Sequence, residues 1–160
     1  MKEYEIRINV REYEGMQELA ANDCALLQKA NDTTQTSYAP YSNFNVGAAI
    51  LLENGEIIKG SNQENAAYPS GLCAERTAMF YANARYPGIP IVAIAVTSSI
   101  NGMLNATPAY PCGGCRQALL ENEQRFGKPI RVIMGSAKRI QVVDSIKDLL
   151  PLSFDLDSHK

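Results

Sequence analysis

Tryptophan is absent from the 160-residue chain, histidine occurs once and cysteine four times. Each shortage closes an option. The single histidine, His159, stands next to the last residue in a tail expected to fray, which argues against an imidazole metal ligand. No apolar run approaches the twenty or so residues that a membrane span requires. The net charge of −2 gives no basic footprint for a polyanion, and nucleic-acid strand binding calls for cationic and aromatic surface that this composition lacks. The opening residues Met1 to Glu5 lack the apolar core of a signal peptide. A cytoplasmic location, where thiols stay reduced, is therefore expected.

What remains is ordinary material for one globular domain spanning 1–160: 46% apolar and 20% charged residues, enough to bury about two thirds of the unfolded surface. Tyr4, Ile6, Ile8 and Val10 alternate with polar residues, so a strand is expected in an N-terminal extension over 1–14. Helical spacing runs from Met16 to Ala30, with Cys24 on its apolar face as core packing. Phe44 to Glu53, a two-residue turn at Asn54-Gly55, and Glu56 to Glu64 read as a hairpin. A helix from Ala74 to Ala84 follows, then a buried strand over Ile91 to Ser98 and a loop to Tyr110. A second helix to Phe126, strands at Arg131 to Gly135 and Gln141 to Val143, and a terminal helix over Ser145 to Leu150 complete the chain, with a flexible tail at 155–160. Strands alternating with helices after an initial hairpin predict an α/β fold with a mixed sheet covered on its faces.

Chemistry concentrates in two short stretches. Cys73-Ala74-Glu75-Arg76 is answered by Pro111-Cys112-Gly113-Gly114-Cys115. Three sulfurs and a carboxylate at this spacing suggest a catalytic Zn2+ site, since structural sites are usually closed by a fourth protein ligand. Pro111 resembles the proline of a helix's first turn, which puts Cys112 and Cys115 on one face. A helix N-terminus also favours thiolates through its dipole and free N–H groups. Asn62 and Glu64, two apart on a strand, leave one face and could hold a sugar's hydroxyls.

These stretches, with Tyr41-Ser42-Asn43-Phe44, Val46-Gly47-Ala48-Ala49, Asn62-Gln63-Glu64-Asn65-Ala66 and Cys112-Gly113-Gly114-Cys115-Arg116-Gln117, resemble the cytidine deaminase family from about Gly15 to Phe154. The resemblance implies a three-layer α/β/α sandwich with an approximately five-stranded mixed sheet, one Zn2+ per chain and a homotetramer. The implied reaction is hydrolytic deamination of cytidine and 2'-deoxycytidine. It also implies roles. Cys73, Cys112 and Cys115 bind the metal, and Glu75 shuttles protons to ring atom N3 and to the departing ammonia. The Ala74 N–H meets the base carbonyl, Phe44 packs on the ring, and Asn62 and Glu64 bind the ribose. Arg76 offsets thiolate charge, with Arg116 a weaker second choice, and Phe154 reaches a neighbouring subunit's site.

Departures fall at Tyr110, where Ser or Thr commonly precedes Pro-Cys, and at Gln63, Asn45 and Asp155. None touches the metal or the shuttle. Rival readings are deamination of another aminopyrimidine nucleoside such as blasticidin S, and a non-catalytic zinc module. The second would leave Glu75 and the Asn62/Glu64 pair without a role.

Overall fold

The structure, a computed structural model, describes residues 1–155; the tail residues 156–160, His159 among them, lie outside the described residues. Among the described residues seven strands form one sheet: β1 (Arg11–Tyr13), β2 (Asn45–Leu52), β3 (Ile57–Ser61), β4 (Ile91–Ile100), β5 (Met103–Leu104), β6 (Arg131–Gly135) and β7 (Ile140–Val143). Their order is β1-β7-β6-β4-β2-β3, with β5 pairing β4 off this path. The pairs are antiparallel except β4 with β6, which lie parallel. A parallel pair needs a crossover. It is supplied by α3 (Gly113–Phe126), while α1 (Ala21–Thr33) and α2 (Ala74–Arg85) lie ahead of β2 and β4.

Period-two alternation sorts the central strands into two cores. Ala48, Ile50, Ile94, Val96, Val132 and Met134 face Ala78, Met79, Leu119 and Leu120 of α2 and α3. Ala49, Ala93, Ala95 and Ile133 face Leu26, Leu27 and Ala30 of α1. Cys24 packs in this second layer, across the sheet from the other cysteines. Small residues bring helix and sheet together where the chemistry lies. A Cβ on Gly60 would sit 2.5 Å from Ala78 N and 2.6 Å from Ala74 O, so glycine there lets α2 press its first turns onto β3.

The sandwich is as expected, but the strand count is seven rather than about five, and several boundaries differ. The alternating segment 4–10 forms no strand; Tyr4, Ile6, Ile8 and Val10 are all exposed. Pairing begins only at Arg11, opposite Val142. Beyond Val143 the neighbouring strand ends and the chain enters a 3-10 turn at Ile146–Leu149, so the ladder does not continue back along residues 4–9. That same turn replaces the expected terminal helix. Residues 53–55 form a longer loop than a two-residue turn, closed by Leu52 N–H to Glu56 O and Gly55 N–H to Leu52 O. Part of the expected 99–110 loop is a tight hairpin, with Asn101 (φ 52°) and Gly102 (φ 77°) turning β4 into β5. Helix α1 starts at Ala21, preceded by a 3-10 turn at Met16–Glu18.

Candidate active site

Two helix starts meet over the sheet. Cys73 and Cys112 are the N-cap residues of α2 and α3, both in extended backbone. Cys115 lies one turn into α3 and is fully buried, whereas Cys73 is half-buried and Cys112 exposed. Cys73 Sγ is 3.7 Å from Cys112 Sγ, and Cys112 Sγ is 3.5 Å from Cys115 Sγ. All three sulfurs lie within 4.8 Å of one another, a separation a single ion can span. No other such group of metal-binding side chains occurs among the described residues.

The electrostatics suit a cation. Cys73 is pushed down to about 5, chiefly because the Cys115 thiol donates to its sulfur, with Arg76 adding to the effect. Cys115 moves the opposite way, since its proton is held on that bond. Arg76 Nη2 lies 3.7 Å from Cys73 Sγ, and Arg76 Nε is buried without a hydrogen-bond partner. A soft divalent metal fits this set: three sulfurs converge beside a fixed positive charge.

Glu75 occupies the first turn of α2 and is 4% exposed. Burial lifts its carboxyl to about 7, and the Cys73 charge pushes the same way. Its neighbour Ala74 is fully buried, with an N–H in the first helical turn, where no intrahelical acceptor exists.

These groups open into a cavity of about 1030 Å³, spacious enough for a nucleoside-sized molecule. Phe44, Asn62, Glu64, Ala74, Glu75 and Arg76 all line it. Strand β3 ends at Ser61, and the chain stays extended because Gln63 bridges to both Tyr38 and Leu72. Asn62 does more than face the cavity. Its Nδ2 donates to Phe44 O at 2.9 Å and its Oδ1 accepts from Val46 N at 2.8 Å, which ties down the backbone around Phe44. One amide N–H remains for a ligand. Glu64 accepts from Tyr41 N at 2.9 Å, Ser42 N at 3.3 Å and the Ser42 hydroxyl. The Ser42 hydroxyl, and then the Tyr41 N–H, hold Glu64 below the usual carboxylate range.

Tyr41 and Ser42 thus anchor a cavity residue, a role their place in the motif did not reveal. Arg116 does not reach the sulfurs: its Nε donates to Pro111 O at 2.7 Å and Nη1 to Leu149 O at 2.8 Å. Phe154, 63% exposed, accepts from Gln117 Nε2 through its carbonyl.

A three-thiol cluster able to hold a metal, with a buried acid two residues from one of the thiols and helix starts over a mixed sheet, is the arrangement of the zinc hydrolases that deaminate nucleobases. Residues 20–126 match the family described as cytidine and deoxycytidylate deaminase zinc-binding region. The chain belongs to that family, and its cofactor is Zn2+. It is 41% identical over 131 residues to a cytidine deaminase of Halalkalibacterium halodurans, covering 81% of this chain and 91% of that one. A cytidine deaminase of Mycobacterium tuberculosis is 36% identical, covering 80% and 86%. The crystal structure of cytidine deaminase from Burkholderia pseudomallei superposes with a TM-score of 0.70 at 38% identity, covering 85% of this chain and all of that one.

Proposed function

We propose that the chain hydrolyses cytidine and 2'-deoxycytidine to uridine and 2'-deoxyuridine, releasing ammonia. The observation that carries this reading is Glu75: a nearly buried acid held near neutrality, two residues from a thiol in the metal-binding cluster and lining a nucleoside-sized cavity. A group poised near the working pH can both take and give a proton.

Cys73, Cys112 and Cys115 would hold the zinc, which when bound supplies the Lewis acidity that makes water a nucleophile at neutral pH. Glu75 takes a proton from the attacking water and delivers it to N3 as the water oxygen bonds to C4. The second water proton passes through Glu75 to the exocyclic amine. The C4–N4 bond then breaks, ammonia leaves, and C4 becomes the uridine carbonyl. The Ala74 N–H would hold the base carbonyl, and Phe44 would pack on the ring. The remaining Asn62 N–H and the ionised Glu64 take the ribose hydroxyls. Arg76 offsets the negative charge of three thiolates. Burial of Cys115 and Glu75 keeps bulk water from the reacting atoms.

In this reading the enzyme is a cytoplasmic homotetramer in which Phe154 contributes to an adjacent subunit's site. Apolar surface at the cavity mouth supports it: Tyr41 is 63% and Tyr68 90% exposed, both lining the cavity. Among the described residues no helix is long and apolar enough to cross a membrane.

The test is ammonia release from zinc-loaded protein with cytidine, 2'-deoxycytidine, free cytosine and blasticidin S. Both nucleosides should turn over efficiently and cytosine poorly. Equal efficiency on cytosine would remove the ribose site, and turnover of blasticidin S alone would reassign the substrate.

A further inference from the structure

Tyr110 stands immediately before Pro111 and Cys112, is among the residues lining the cavity, and is 49% exposed. Its hydroxyl donates to Gln141 Oε1 at 2.9 Å. Gln141 Nε2 in turn donates to Glu12 Oε2 at 2.6 Å, and Arg139 Nη1 lies 3.7 Å from that oxygen. Glu12 and Gln141 are directly opposed in the β1–β7 ladder, so their side chains leave the same face. Neither lines the cavity. The N-terminal strand is therefore joined to the cavity wall through two side chains.

We propose that Tyr110 is a substrate-positioning wall of the nucleoside cavity, and that Gln141 and Glu12 are positioning residues that fix it. The inference rests on the nucleoside reading above. An amide has one acceptor end and one donor end. With Nε2 committed to the Glu12 carboxylate, Oε1 is turned toward the Tyr110 hydroxyl. A half-exposed tyrosine has two torsions to order when a ligand arrives. Tethering its tip to the sheet orders the ring beforehand, so less freedom is lost on binding. Strand β1 then acts on nucleoside affinity from the sheet edge, without touching the metal, the shuttle or the reacting atoms.

The experiment compares KM and kcat for cytidine, zinc content and melting temperature in zinc-loaded Tyr110→Phe, Gln141→Leu, their double variant, Glu12→Leu and Glu12→Gln. Tyr110→Phe and Gln141→Leu should each raise KM about three- to tenfold, with kcat within about twofold and zinc content unchanged. The double variant should be no worse than either single change, because both break one tether. Glu12→Leu should follow them, and Glu12→Gln, whose amide oxygen still accepts from Gln141, should stay within about twofold of the unmodified chain. Unmodified enzyme that turns over cytidine, with KM unchanged in both single variants, overturns this inference alone. So do KM effects that multiply in the double variant, or melting temperatures that fall while KM holds. Absence of turnover on every nucleoside removes the functional reading and this wall with it.

Discussion

Replacing Glu75 by glutamine preserves the size of a side chain that is 4% exposed, so packing and metal content should survive. The amide cannot accept the proton from water, and turnover should fall by roughly 10²- to 10⁴-fold. Paired measurements of kcat and bound zinc check this, and retention of most turnover would end the shuttle role. Glu64 gives a pH signature. Its pKa lies below the ordinary carboxylate value, chiefly through the Ser42 hydroxyl. Its charged-state contribution is fully present above that ordinary value and is lost as pH falls through the lowered one. Ser42→Ala should move the pKa back up, so the acid-side rise of KM should begin at higher pH than in the unmodified enzyme. Superimposable KM–pH profiles would contradict it. Which arginine meets the sulfurs is also decided by single positions. Arg76 follows Cys73 by three residues and shares its face, whereas Arg116 is adjacent to Cys115 and turns to the Pro111 and Leu149 carbonyls.

Helix α2 carries Glu75 and begins at Cys73, and its position depends on Gly60 beneath it. Gly60→Ala would place a methyl group against backbone atoms of Ala74 and Ala78 rather than a flexible side chain, so α2 must shift. A loss of about 1–3 kcal/mol in stability, with weaker zinc retention in a chelator competition, is expected. The strands β2, β3, β4, β6 and β7 were legible because alternation or a continuous apolar run marks each. Strand β5 was not: two residues carry no period, although Asn101-Gly102 announces the turn. Residues 4–10 carry the better alternation, yet pairing falls at Arg11–Tyr13, where β7 offers a backbone. Cysteine spacing announced the sulfur cluster because helix starts make it local. The bonds from Asn62 to Phe44 and Val46 were hidden, since they depend on how β2 and β3 lie together.

For the assembled molecule, the shared-site proposal predicts that Phe154→Ala weakens both association and nucleoside binding, by about 1–3 kcal/mol if the ring is a buried interface anchor. Sedimentation across a dilution series, with KM measured on the same samples, tests the link. A variant of unchanged mass and unchanged KM would separate Phe154 from the site.

The closeness of the three sulfurs has a further consequence, for redox durability. Cys112 is exposed, and its sulfur stands 3.5 and 3.7 Å from two others. A disulfide needs sulfurs about 2.05 Å apart, so closing either pair takes a contraction of roughly 1.5 Å. Thiolate character at Cys73 supplies the nucleophile for such a bond once an oxidant has attacked a neighbour. Zinc held by these three thiols would therefore also act as a protecting group, and protein stripped by a chelator in air should lose its capacity to reload until a reductant is added.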